Sequence, residues 1–345
     1  MNKFIKICLI ATAMICVSSA YSQEEPVPAL KQGHGFEENQ MVGIYNTPAR
    51  IDVRGSFDFE ATGSFIWWQA LEEGMNLGSY IDAGNHTYMI KMDSDFTPGF
   101  KLGVTYNSNF DDWKAFVQYT RLYSDDHGNF SSIEVLATPF WIYNDSTAVN
   151  ESIKGTRDLH LNYIDVLVSR PFYSGAKLTL DPEFGLKGAL NSQEITIKHY
   201  QIGNNLVTVK TEDDNWLLGP ELGCNVNFLL GYGLKFYGTS MASLLYQQHK
   251  ISYNITDRVT AANNTSAQTT DYFLTPALEL GGGLSWSSYF NNRSWHLDLL
   301  VGYELQRFWE QNMLRGVDDL VRLSSDGKHG DLTLHGLTVK LAAVF

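Results

Sequence analysis

The chain ends in a strand. Residues 337–345 read Leu-Thr-Val-Lys-Leu-Ala-Ala-Val-Phe, and counting back from Phe345 every second residue is apolar: Ala343, Leu341, Val339 and Leu337. Alternation with a period of two is the pattern of a strand with one apolar face. A last strand that finishes on an aromatic residue fits a sheet closed into a transmembrane barrel, in which the first strand pairs with the last and no edge remains. Phe345, Leu341, Val339 and Leu337 then form the segment that the barrel-assembly machinery reads. The competing reading is the final strand of a soluble sandwich.

The beginning of the chain argues for export. Lys3 and Lys6 precede an apolar run from Ile7 to Val17, too short for a membrane-spanning helix, and Ala20 and Ser22 are small residues placed for cleavage. Residues 1–22 are therefore read as a signal peptide, and Ile15 before Cys16 argues against lipid attachment there. Cleavage removes Cys8 and Cys16, so Cys224 alone remains and no intrachain disulfide is expected. It also removes two lysines from a chain whose net charge is −13. So acidic a chain repels nucleic acid. After residue 22 no stretch approaches the ~20 apolar residues of a membrane helix. Aromatic residues make up 13% of the chain and glycines number 29, a mix suited to a sheet with interfacial aromatics. The expected organisation is a polar periplasmic lead-in over 23–55 and one all-β domain over 56–345.

Ten alternating segments stand out, near 57–71, 98–107, 113–123, 159–170, 177–190, 215–228, 233–248, 272–288, 293–309 and 331–345. Their connections alternate between turns of a few residues and loops of about twenty or more, as in an up-and-down antiparallel barrel with short periplasmic turns and long extracellular loops. With that parity both chain ends fall on the periplasmic side. Gln193–Ile202 and Leu206–Thr211 alternate around Gly203-Asn204-Asn205, and Gly84-Asn85 divides Met75–Ala83 from His86–Asp93. These read as hairpins continuing above the membrane; counted as crossings, they raise the number of strands to 12–16.

The alternation separates two chemistries. One face carries Phe100, Leu102, Val104, Leu218, Leu222, Leu280, Leu284, Leu299 and Val301, with Trp67, Trp113, Tyr119, Tyr246 and Tyr272 near strand ends as girdles and Cys224 among the lipid-facing positions. The other carries charge: Asp58, Glu60, Lys101, Lys114, Asp181, Glu183, Lys187, Glu221, Lys235, Glu279, Asp298, Glu304 and Lys340 are the candidate pore-lining residues. One segment resists assignment. In 159–170, Asp165 shares a face with Leu161, Tyr163 and Leu167, and Arg170 shares the other with Ile164, Val166 and Val168.

Several stretches, in order, resemble a known family. Asn46-Thr-Pro-Ala-Arg-Ile-Asp-Val53, Ala61-Thr-Gly-Ser-Phe-Ile-Trp-Trp-Gln-Ala70, Glu72-Glu73-Gly74, Pro98 to Tyr106, Tyr163-Ile-Asp165, Gly185-Leu-Lys-Gly188, Gly219-Pro220 and His329 to Gly336 are similar to the chlamydial-type major outer membrane protein porins, which include the Legionella-type pore-forming proteins. The resemblance implies an outer-membrane barrel that passes small hydrophilic solutes, in contact with outer-membrane lipid and compatible with a homo-oligomer. Cysteine-rich relatives crosslink the envelope through disulfides, whereas the chain after residue 22 keeps Cys224 alone.

Little in the sequence points to catalysis or cofactors. Asp125-Asp126-His127 reads as part of a long surface loop, and His329 lies two residues from Asp331. Paired Asp and His at a barrel rim can activate water, but spacing alone does not bring these together. Asp93 and Asp95 lack further ligands at calcium-loop spacing. No metal, cofactor or turnover is expected. The leading expectation is a passive porin whose interior charges set ion preference. A ten-stranded lumen is narrow, so charges pairing across it would instead give a non-conducting structural or adhesive barrel that displays its loops.

Overall fold

The computed structural model describes residues 49, 51, 53, 58–108, 111–132, 137–141, 150–201, 205–259, 264–314 and 330–344. The predicted signal peptide, most of the lead-in, Phe57, His329 and Phe345 lie outside the described residues. Ten long strands form the wall: β1 (Phe59–Glu72), β4 (Phe96–Asn107), β5 (Lys114–Ser131), β7 (Asn150–Ser169), β9 (Leu178–Gln201), β10 (Asn205–Gly231), β11 (Leu234–Asp257), β12 (Thr265–Phe290), β13 (Trp295–Asn312) and β14 (Gly330–Val344). Short strands β2 (Gly78–Ile81), β3 (Thr87–Ile90) and β6 (Ala137–Pro139) belong to the long connections, and β8 (Phe172–Ser174) belongs to a periplasmic turn.

Each long strand pairs antiparallel with its neighbours. β1 closes the ring on β14, from Glu60 opposite Val344 to Glu72 opposite Leu332. β7 pairs with β9 across the β8 turn. The barrel is therefore a closed antiparallel sheet of ten strands; the 193–211 hairpin extends β9 and β10, already counted as crossings, whereas the hairpin around Gly84-Asn85 is the separate pair β2 and β3, which joins the sheet through β6 and adds no crossing. Three periplasmic turns are held by residues at positive φ, where tight hairpins require them: Asp111 and Asp112, the run Gly231-Tyr232-Gly233, and Asn291 to Arg293.

The strands outrun the bilayer. β10 has 27 residues and β12 has 26. At ~3.3 Å per residue such a strand is about 85–90 Å long, and even tilted by ~45° it rises far beyond an apolar band ~25 Å tall. The chemistry of each face changes at the boundary. On β11 the outward residues are Leu234, Phe236, Ala242, Leu244 and Tyr246, then Gln248, Lys250, Ser252 and Asn254. Its inward residues run the opposite way: Lys235, Thr239 and Ser243, then Leu245, and further up Ile251, Tyr253 and Ile255. Inside the membrane the barrel is apolar outside and polar within; above it, the wall is polar outside and the interior is apolar but for one buried polar level, to which Gln247 and His249 of this strand belong.

An aromatic belt marks the switch. Trp216 Nε1 donates to Gln248 Oε1 at 2.6 Å, and Gln248 Nε2 donates to the Tyr272 hydroxyl at 2.6 Å. The Tyr303 hydroxyl meets His335 Nδ1 at 2.6 Å, and the Tyr119 hydroxyl donates to Asn162 Oδ1 at 2.8 Å. These rings keep one edge in hydrocarbon and one polar atom toward water. A lower belt holds Phe59 against Tyr106 and Phe290 against Trp295. The inversion also resolves the ambiguous segment: Leu161, Tyr163, Asp165 and Leu167 all face inward on β7, with Leu161 and Tyr163 at the level where the interior turns apolar. Cys224 departs from expectation. Its register is that of the lipid face, yet it is 5% exposed, covered by its neighbours.

Candidate functional site

The interior is stacked in four layers. Lowest, within the membrane, is a polar chamber of about 470 Å³. Of the sequence-predicted lumenal residues, ten line it directly: Glu60, Lys101, Lys114, Asp181, Glu183, Lys235, Glu279, Asp298, Glu304 and Lys340. Most are paired with a residue two or three strands away around the ring. Lys101 Nζ donates to Glu304 Oε2 at 2.5 Å, Lys114 Nζ reaches Asp181 Oδ2 at 3.5 Å, and Lys235 donates to Asp298. At the upper end Lys187 Nζ sits among Asp165 at 2.5 Å, Glu279 at 2.7 Å and Glu221 at 3.3 Å. Asp58 lies lower, at the rim, where its carbonyl accepts the Asn107 backbone amide at 2.7 Å. Ala49 and Ile51 of the lead-in also line the chamber, and the Ala49 amide donates to the Pro171 carbonyl at 3.2 Å.

Above the chamber is an apolar layer of Ile66, Trp68, Ala70, Leu122, Leu161, Tyr163, Leu217, Leu245, Phe308 and Leu334, with their neighbours. Tyr163 and Phe308 stack at 5.6 Å with rings nearly parallel. Trp68 donates from Nε1 to Thr338 Oγ1 at 3.2 Å, and Lys101 lies 4.6 Å from its ring centroid. The roof of the chamber is thus aromatic on the side that faces its cations, a geometry worth roughly 0.5–2 kcal/mol per contact.

The third layer is charged and fully buried. Arg157 donates to Glu72 Oε2 at 2.5 Å, to Asp126 Oδ2 and to the Ala70 carbonyl at 2.9 Å. Gln193 donates to Glu72, and His249 holds Asp213 Oδ2 at 2.6 Å through Nδ1 and Gln247 Oε1 at 3.0 Å through Nε2. The fourth layer is a second apolar core: Leu77, Ile90, Trp141, Ile153, Ile195, Ile197, Val209, Ile251, Tyr253 and Leu314 are among its members. It includes residues of β3 and of the connections beside β2 and β6, so the extracellular segments plug the top. The Tyr253 hydroxyl donates to the Trp141 carbonyl at 2.7 Å, and Trp141 Nε1 donates to the Asn76 carbonyl at 2.8 Å.

The Asp125-Asp126-His127 stretch is corrected by this arrangement. It lies in β5, not in a loop, and alternation splits it: Asp126 points inward to Arg157, while Asp125 and His127 point outward. The three residues do not converge on one point. Asp165, left unassigned by the sequence, is a partner of Lys187. Arg157, Glu72, Asp213 and His249 carried no sequence signal as a group, because they come from four strands far apart in the chain. Among the described residues, no group of three or more His, Cys, Asp or Glu side chains is placed to hold a metal ion.

A closed ten-stranded wall, apolar belts facing outward and a polar membrane-level interior define a bacterial outer-membrane β-barrel protein. More particularly, residues 53–345 match the family of the Legionella pneumophila major outer membrane protein precursor, and the chain belongs to that family. No curated protein matches the chain. Among solved structures it is similar to the outer membrane protease OmpT from Escherichia coli, with 9% identity and a TM-score of 0.46 over 86% of this chain and 99% of that one. It is also similar to the Pseudomonas putida toluene transporter TodX, with 6% identity and a TM-score of 0.24 over 83% and 88% of the two chains. A third likeness is to Ail of Yersinia pestis, with 13% identity and a TM-score of 0.20 over 83% and 97%.

Proposed function

We propose that this protein is a barrel with a shut lumen: a wall element of the outer membrane that carries a rigid extracellular stalk and a blind chamber facing the periplasm. The observation that supports this is the unbroken sequence of side chains above the chamber. Trp68, Tyr163 and Phe308 close it, the Arg157 cluster fills the next level, and Trp141, Tyr253 and the isoleucines around them close the top. A hydrated ion crossing this stack would shed its water against two apolar layers, at a cost of several kcal/mol or more. The closed reading assigns the protein no turnover.

The passive porin is the second reading, and one observation favours it. Through the membrane the interior is polar and carries both signs of charge, as a solute path requires. In that case the two apolar layers are gates. Single-channel conductance of the refolded protein in a planar bilayer separates the readings. The shut barrel gives a folded, heat-modifiable protein without reproducible current steps. Regular steps from the unmodified chain would overturn it and make the layers gates.

A further inference from the structure

The chamber holds more carboxyl groups than its own lysines can pair. Seven carboxylates and four lysines line it. Lys187, at its upper end, is shared among three carboxylates. Glu183 is left over: its Oε1 accepts the Asn225 side-chain amide at 2.6 Å, and among the described residues no cation stands within ion-pair distance, Lys114 and Lys340 acting on it only from farther off. Beside it Asp181 gives one oxygen to Lys114 at 3.5 Å, while its other oxygen is buried without a hydrogen-bond partner among the described residues. Tyr237, 8% exposed, lines the same chamber, and its hydroxyl likewise has no partner among the described residues. Buried polar atoms normally find partners, so these atoms mark places where a ligand or water supplies the missing bond.

We infer that the chamber is a binding site for a small aliphatic amine with two or more ammonium groups, entering from the periplasmic end. The inference rests on the blind-chamber reading above. Two features select this chemistry. The carboxylates are spread around the wall and do not converge as metal ligands among the described residues, which suits charges separated along a chain better than a single ion. The volume of about 470 Å³ lies in the range of small-molecule pockets, and the Trp68 and Tyr163 rings already have lysine ammonium groups 4.6 and 5.8 Å from their centroids. One ammonium would take Glu183 and Asp181, and the ligand would leave the paired lysines undisturbed.

The test is calorimetric titration of the refolded full-length protein in detergent with 1,4-diaminobutane, and with succinate as the dianion of equal length. Saturable binding of the diamine, no binding of succinate, and an affinity about tenfold weaker in Glu183→Gln are expected, tenfold being about 1.4 kcal/mol. Asp181→Asn, expected to weaken binding too, serves if Glu183→Gln fails to show heat-modifiable folding. No binding to the wild type, or equal binding by folded variants, would overturn the site. So would displacement of the diamine by equimolar magnesium chloride, which would reduce it to a counter-ion. Conductance of the same preparation separates the two proposals. Current together with diamine binding refutes the shut lumen and keeps the site; silence without binding does the reverse.

Discussion

Arg157 shows how much a single side chain holds at this depth. It is 1% exposed and touches two carboxylates and a carbonyl at once. Replacing it with leucine leaves Glu72 and Asp126 buried without a counter-charge, and breaking a buried pair in this way costs about 3–5 kcal/mol. Arg157→Lys is expected to recover only part, because one ammonium cannot reproduce the fork that meets both acids. Urea midpoints of the refolded proteins would check this; an Arg157→Leu protein as stable as wild type would refute it. His199, high above the membrane belt on β9, makes a pH prediction. Burial alone pushes its imidazole down to about 3, and neither ring nitrogen has a partner among the described residues. Below about pH 6.5 the unfolded chain takes up a proton there that the folded chain refuses. Above about pH 6.5 no protonation penalty applies, and stability is lost as pH falls from there toward 3. His199→Phe should flatten part of that loss when urea midpoints are compared at about pH 7.5 and 4.5. Equal losses in both proteins would exclude the residue as a source.

Along a strand, the inversion of faces explains what could be read from sequence and what could not. Period two, the closing strand and the alternation of short and long connections identified ten crossings and their direction, because each is a local pattern. The faces of β7 were not legible, since Leu161 and Asp165 lie on one face and only the height of the bilayer says why. The stretch Ser124 to Gly128 reads as a loop for a related reason: above the membrane this strand places Ser124, Asp126 and Gly128 inward and keeps Asp125 outward, and no apolar stripe remains. Pairs such as Lys101 with Glu304 depend on barrel stagger across 203 residues, which no local pattern encodes. The same inversion predicts a depth-dependent cost of charge. Leu284→Lys, on the lipid face in the lower half of β12, should cost about 2–4 kcal/mol. Thr208→Lys, outward on β10 beside Lys198 and Thr256 of its neighbours, should stay within about 0.5 kcal/mol. Inward Val209→Lys, by contrast, should prevent folding of the extracellular half. Similar stability of the Leu284→Lys and Thr208→Lys proteins would refute the boundary placed at the aromatic belt.

For the molecule as a whole, the order of the layers matters more than any one of them. A barrel sealed once would open when that seal is thinned. This one is sealed twice, with a charged layer between; β7, β9, β10 and β11 contribute to both seals at different heights, and the extracellular connections contribute only to the upper one. Removing Trp68 and Leu161 side chains with alanine would join the chamber to the Arg157 level and no further. Large-to-small changes at such sites cost about 2–5 kcal/mol each, a load carried by a closed ring with no sheet edge to unravel. The double variant Trp68→Ala, Leu161→Ala is therefore expected to remain electrically silent in a planar bilayer. Adding Trp141→Ala and Ile251→Ala in the upper core should produce current steps, because a polar route then runs from the chamber past Arg157 to the outside. Steps from the lower variant alone would show that the upper core does not seal. Silence from the fourfold variant, with its barrel still heat-modifiable, would place the barrier to ions in the Arg157 layer itself, where a further Arg157→Ser substitution should release it.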